Sequence, residues 1–165
     1  MSVEQRGAEE AAESLEAVAA RLRDLTPITS VVAADVMTFV DDRFANATDP
    51  GGQPWATLED STIARRRSGP GSSRFAVGTV SPLIDTGRLR SSIFGRGERT
   101  GLRFGTNVAY AAPHQLGTRK MPRRAFLPVD SAGSAFSLSS AGPGGEFWRD
   151  ARERIRRFIR TGEVT

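Results

Sequence analysis

The sequence predicts an α+β fold, with a small antiparallel β-sheet packed against a long core helix and helices at the N- and C-termini. Three observations predict it. Apolar residues recur at three-and-four spacing from Ala8 to Phe44. A strict alternation, Leu102, Phe104 and Thr106 against Arg103 and Gly105, follows a glycine-flanked turn. The helical spacing then returns from Glu146 to Arg160.

Ala8, Ala11, Leu15, Val18, Leu22 and Leu25 lie on one narrow stripe with Glu and Arg elsewhere, so the first 26 residues read as a peripheral amphipathic helix. Thr26-Pro27 reads as an N-cap followed by Pro at the first helical position. The helix after it carries Ile28, Val31, Val32, Val36, Phe39, Val40 and Phe44, a broad apolar face suited to the core, and ends near Asn46. Asp49-Pro50-Gly51-Gly52 is a turn. Thr57 is placed to cap a short helix reaching Arg67, with Leu58 and Ile63 facing inward. Ser68 to Ser73 is rich in Gly, Ser and Pro and reads as a mobile loop.

Thr86 is placed to cap a further short helix in which Leu89 and Ile93 are four residues apart. Ser92 to Arg96 and Leu102 to Thr106 then read as two strands around a Gly97–Gly101 turn. Tyr110 to Leu116 is a short helix or turn, since Pro113 can sit in a first turn. Phe126-Leu127-Pro128-Val129 reads as a short edge strand. Residues 131–145 form a flexible Gly/Ser-rich insert. The last helix buries Phe147, Ala151, Ile155 and Phe158, with Ile159 beside them, and shows Arg149, Arg152, Arg156 and Arg160 on its other face. The 165 residues are expected to form a single domain, since a chain this size buries roughly 70% of its unfolded surface.

The composition narrows the chemistry. With no cysteine, disulfides, thiolate catalysis and Cys-based zinc sites are excluded. His114 is the single histidine, so any metal pair or Ser–His relay would have to run through it. No cofactor or metal is expected. The most apolar run, Ile28 to Val40, is too short and too polar for a membrane span, and no export signal opens the chain. The net charge of +4 rests almost wholly on arginine, whose planar fork suits carboxylates and phosphates alike.

Two sharper chemistries can be set against blander ones. His114 with Tyr110 and Asp85 could be sketched as a general-base site. No nucleophile-bearing turn accompanies it, and a structural histidine, hydrogen-bonded to backbone around the Gly117 turn, is the better reading. Asp85-Thr86-Gly87 is the triplet of aspartic proteases, but Arg88-Leu89-Arg90 continues as a helix, so Asp85 or Thr86 reads as a cap and Gly87 as part of that turn. Trp55 leaves a Pro/Gly turn and is expected to anchor it to the core rather than to serve as a binding platform.

Four blocks in this order carry a family resemblance: Pro50 to Leu58, with Pro54-Trp55 at its centre; Leu83-Ile84-Asp85-Thr86-Gly87-Arg88-Leu89-Arg90-Ser91-Ser92-Ile93; Gly105 to Gly117, containing Thr106-Asn107, Tyr110-Ala111 and His114-Gln115; and Met121-Pro122-Arg123-Arg124-Ala125-Phe126-Leu127. Together they resemble the phage virion morphogenesis family of Mu-like tail-completion proteins, which is similar to the wider class of head–tail joining proteins. The resemblance implies a small α+β structural subunit without enzymatic activity. It implies assembly as a homo-oligomeric ring, sixfold in expectation, at the head–tail junction of the virion. Expected partners are neck, connector, tail-tube or tail-terminator proteins, with host cytoplasm as the place of assembly and no membrane contact.

Within that expectation Arg65, Arg66, Arg67, Arg119, Arg123, Arg124, Phe126 and Leu127 are the candidate interface residues. Phe126 to Val129 would add a strand to the neighbouring subunit's sheet. The arginine clusters would pair with a neighbour's acids or touch DNA in the lumen without reading its sequence. The alternative function is a free DNA-binding accessory protein that uses the same clusters.

Overall fold

Twenty-one residues from Thr26 to Asn46 form the central helix, α2, of the computed structural model, which describes residues 3–68, 80–130, 134 and 142–164. Ile28, Val32, Ala33, Val36, Phe39, Val40 and Phe44 are buried along it, while Val31, expected on the same face, is half-buried. Thr26 does not cap the helix; it lies in the first turn with Pro27. Leu25 stands at the cap position without a side-chain cap bond, and just before it the Asp24 carboxylate accepts the Thr26 N–H at 2.9 Å. The preceding helix, α1 (Val3–Arg23), stops short of Leu25.

Against α2 packs the antiparallel pair β1 (Ile93–Glu98) and β2 (Gly101–Thr106), in register from Ile93 opposite Thr106 to Glu98 opposite Gly101. Arg99-Thr100 alone is left to make the turn, which is shorter than the expected Gly97–Gly101 connection. The glycines have another use. A Cβ at Gly95 would come within 2.7 Å of the Ala33 carbonyl oxygen, and one at Gly97 would overlap the backbone of Thr29 and Ser30. Bare backbone at both positions lets β1 lie directly on the helix, and Thr29 Oγ1 ties the two by donating to the Glu98 carbonyl at 2.9 Å. Ile93 is buried from the strand, because the helix carrying Leu89, α4 (Arg88–Ser91), ends two residues earlier.

The other end of α2 holds an aromatic cluster. Phe44 meets Trp55 edge-on at 5.5 Å and Phe126 at 5.6 Å between ring centres. The turn before Trp55 is fixed by Asp49, whose Oδ1 accepts the N–H groups of Gly51 and Gln53, each at 2.9 Å. Helix α3 (Asp60–Ser68) begins three residues after Thr57, so Thr57 does not cap it; Leu58 and Ile63 are half-buried. Helix α5 (Ala111–Leu116) forms as expected around Pro113.

The last helix, α6 (Pro143–Thr161), starts before Glu146, because Gly144 and Gly145 are buried and the Gly144 N–H bonds the Pro50 carbonyl at 2.7 Å. Residues 143–145 therefore belong to a helix and not to the loose insert; residues 131–133 and 135–141 lie outside the described ones, as do residues 69–73 of the expected mobile loop. Phe147 packs on Phe39, and Arg154 pairs with Asp35 of α2 at 2.7 Å. Among the described residues the architecture is thus six helices and one two-stranded antiparallel sheet, an α+β fold as expected. No helix among them is long and apolar enough to cross a membrane.

Candidate functional site

Most of the sequence-predicted site residues fall in the stretch from Tyr110 to Val129, whose centre is Gln115. This side chain is buried on α5, and its Oε1 accepts the N–H groups of Phe126 at 3.0 Å and Leu127 at 3.1 Å. Its Nε2 donates to the carbonyls of Leu127 and Val129, both at 3.4 Å. One amide side chain thereby occupies backbone groups of Phe126, Leu127 and Val129, and with Val129 alone in a β-bridge the segment Phe126 to Val129 forms no edge strand. Phe126 is fully buried in the chain's own core beside Phe44, and Leu127 is half-buried. What this segment turns outward is not the Phe126 ring.

Arg124 is 5% exposed. Its Nε donates to the Ala56 carbonyl and its Nη2 to that of Thr57, both at 2.8 Å, while the Trp55 indole N–H donates to the Ala125 carbonyl at 2.7 Å. Together they staple the segment after the Pro50 turn to the segment after α5. Gly117 makes the reversal between α5 and that segment: its φ is +78°, and a Cβ there would press on the Arg123 backbone at 3.1 Å.

Arg66 is also turned inward. Its Nη1 donates to the carbonyls of Ser81 at 2.9 Å and Ile84 at 3.3 Å, and its Nη2 to Pro82 at 3.3 Å. Asp85 stands 3.9 Å from its Nε. Arg66, Pro82 and Asp85 border a cavity of about 240 Å³ shared with Thr86, Tyr110 and His114. Thr86 Oγ1 accepts the Arg88 N–H at 3.4 Å, with Gly87, at φ +78°, as the residue that precedes the α4 turn. Tyr110 is exposed and sets its ring edge-on to His114 at 6.1 Å.

The imidazole does not make the backbone bond expected of it near Gly117. Nδ1 is buried with no hydrogen-bond partner among the described residues, and the contact is made instead by the His114 carbonyl, which accepts the Arg124 N–H at 2.8 Å. Burial first, then the charges of Arg124 and Arg66, hold His114 below the usual imidazole pKa. Burial and the Arg66 charge likewise lower Arg124. Chemically the pocket offers an imidazole of lowered basicity beside Arg66. The described residues contain no group of three or more metal-ligating side chains.

The remaining candidates are on the surface. Arg65 and Arg67 are exposed on α3; Arg119 and Lys120 occupy an exposed turn, and exposed Arg123 sends its Nε to the Gln115 carbonyl at 3.1 Å. A groove of about 460 Å³ opens between the end of β2 and α5, walled by Val108, Ala112, Leu116 and Leu127. Sequence reasoning missed Gln115 and the inward turn of Arg66 and Arg124. The available signal was the apolar or proline surroundings of Gln115 and Arg124, Ala111 to Leu116 and Ala125 to Pro128, which suggest a polar side chain bonded inside a packed segment.

Residues 5–138 match the model of the phage virion morphogenesis family. No curated protein and no solved structure matches the chain.

Proposed function

Because the chain belongs to the phage virion morphogenesis family, which gives it a role in phage virion assembly, we propose that it is a non-enzymatic ring subunit at the head–tail junction. The ring, of six copies, joins tail to head and leaves a passage for DNA, and its neighbours are connector, tail-tube or terminator proteins. One observation carries this reading. The folded chain leaves large apolar side chains uncovered on separate elements: Leu15 and Leu22 on α1, Phe94 on β1 and Leu116 on α5. Differing patches on one subunit are what a head-to-tail ring interface requires. In this reading Asp85 and His114 contribute shape and not bond-making.

Electron cryomicroscopy of the virion tests it directly. Copies of this chain ringing the neck are the expected result; full virions in which the neck holds no such density would overturn the reading. Phage carrying Asp85→Asn or His114→Ala are expected to join heads to tails as before.

A second reading has its own observation. Helix α6 exposes Arg152, Arg156, Arg157 and Arg160 along its length, which suits sequence-independent contact with DNA phosphates. Binding by a monomer that weakens steeply with salt, with no ring at high protein concentration, would favour it.

A further inference from the structure

The cavity beside His114 carries positive charge that its own walls do not balance. Arg66 has only 14% of its side chain exposed, and its Nη1 and Nη2 bond backbone carbonyls, which satisfy N–H groups but bring no countercharge. Its Nε is buried without a hydrogen-bond acceptor among the described residues; Asp85 Oδ1, at 3.9 Å, is too distant for one. The Asp85 side chain is 58% exposed, so water screens much of that pairing. Arg124, more deeply buried, likewise bonds carbonyls. After burial, the charges that bear on His114 are those of Arg124 and Arg66, and the charge that bears on Arg124 is that of Arg66. Arg88 borders the same cavity, where Asp85 is the one acid. A buried cation without a partner is costly, and a bound anion offsets the penalty.

The lining suits an oxyanion. At about 240 Å³ the cavity has the volume of roughly eight waters at about 30 Å³ each, enough for a four-oxygen anion with some solvent. The guanidinium of Arg88 and the hydroxyls of Tyr110 and Thr86 are the donors on its border. Thr86 Oγ1 accepts the Arg88 N–H, which leaves its own O–H free to donate. The His114 imidazole, with Nδ1 buried and unpartnered among the described residues, forms part of the wall. Leu83 and Leu89, both buried, make the rest of it apolar and so strengthen any charge interaction inside.

We propose that this cavity binds a small oxyanion, a carboxylate or a phosphate group, bonded by Arg88, Tyr110 and Thr86 with the charge of Arg66 behind it. The site goes beyond the ring reading and does not depend on it.

The chain has one histidine and one tyrosine, so each ring gives a single set of proton NMR signals. Full-length chain is titrated with inorganic phosphate and, separately, with acetate at fixed neutral pH, the ionic strength held constant with sodium chloride. The Tyr110 and His114 signals are expected to shift together along one saturating curve. Arg88→Gln should weaken the binding about fivefold, and Asp85→Asn, which removes the opposing charge, should tighten it about threefold. Both positions are exposed, so neither substitution disturbs the core. Arg119→Gln, which lies off the cavity lining, should leave the curve unchanged. Whichever anion saturates at the lower concentration identifies the source, a protein carboxylate or a phosphate group, and either result upholds the site. Shifts that stay linear in anion concentration would overturn the proposal, as would Arg119→Gln weakening the binding as much as Arg88→Gln.

Discussion

Gly97 of β1 lies so close to Ser30 of α2 that a Cβ at 97 would overlap the Ser30 amide nitrogen. The strand rests on the helix through backbone alone at that point. Gly97→Ala is therefore expected to push β1 off α2 and to destabilise the chain by about 2–3 kcal/mol, the cost of overpacking a filled interface. Gly101→Ala, where nothing lies within 4 Å of the added Cβ, should cost far less. Urea unfolding of the two variants checks the contrast; equal losses would mean that the strand is not seated as described.

Trp55 combines ring burial against Phe44 with a 2.7 Å bond to the Ala125 carbonyl. Trp55→Phe keeps an aromatic ring and removes the donor, so a loss of about 1–2 kcal/mol is expected, the cost of a buried carbonyl left unpaired. Trp55→Ala adds a cavity and should cost about 3–5 kcal/mol. Thermal denaturation followed by circular dichroism separates the two.

Two arginines five residues apart should behave unlike one another. Arg124→Gln strips the charged partner from the carbonyls of Ala56 and Thr57 and is expected to destabilise by about 2 kcal/mol. Arg119→Gln, on the exposed turn, should stay within about 0.5 kcal/mol of the parent. If chemical denaturation ranks them the other way, the staple role of Arg124 is wrong.

His114 gives a pH prediction. Its folded pKa lies below the usual 6.5, so the folded state binds fewer protons than the unfolded state between those two values. Stability is therefore full above about pH 6.5 and is lost as pH falls from there through the depressed folded value. The melting temperature of the parent should decline over that window, and His114→Gln should flatten the decline. As the chain has one histidine, its proton NMR titration reads the folded pKa without assignment; a midpoint at or above 6.5 would contradict the burial described.

Much of the fold was legible because it is written in local periodicity. The three-and-four spacing from Ile28 to Phe44 places α2 and its buried face, and the alternation from Leu102 to Thr106 places β2. The arginine-faced spacing after Glu146 places α6, and the Pro-Trp and Tyr-Ala-x-x-His-Gln blocks were enough to indicate the family. Each signal is complete within a dozen residues or so, and side-chain direction repeats with the backbone.

Tertiary structure decided what partners those residues found. Arg124 and Arg123 are neighbours in the sequence, yet the first is buried under carbonyls 67 and 68 residues away and the second is exposed. Phe126 to Val129 has the composition of a strand, yet Gln115 arrives from α5 to take up its backbone groups and only Val129 makes a β-bridge. Gly97 reads as a turn residue until α2 is laid against it. In each case the deciding energy is the satisfaction of a buried backbone group, or the exclusion of a side chain, by a segment distant in sequence. Periodicity carries no record of such pairings, so the sequence by itself determined the elements and the family, while packing determined which arginines are structural and which surfaces remain open.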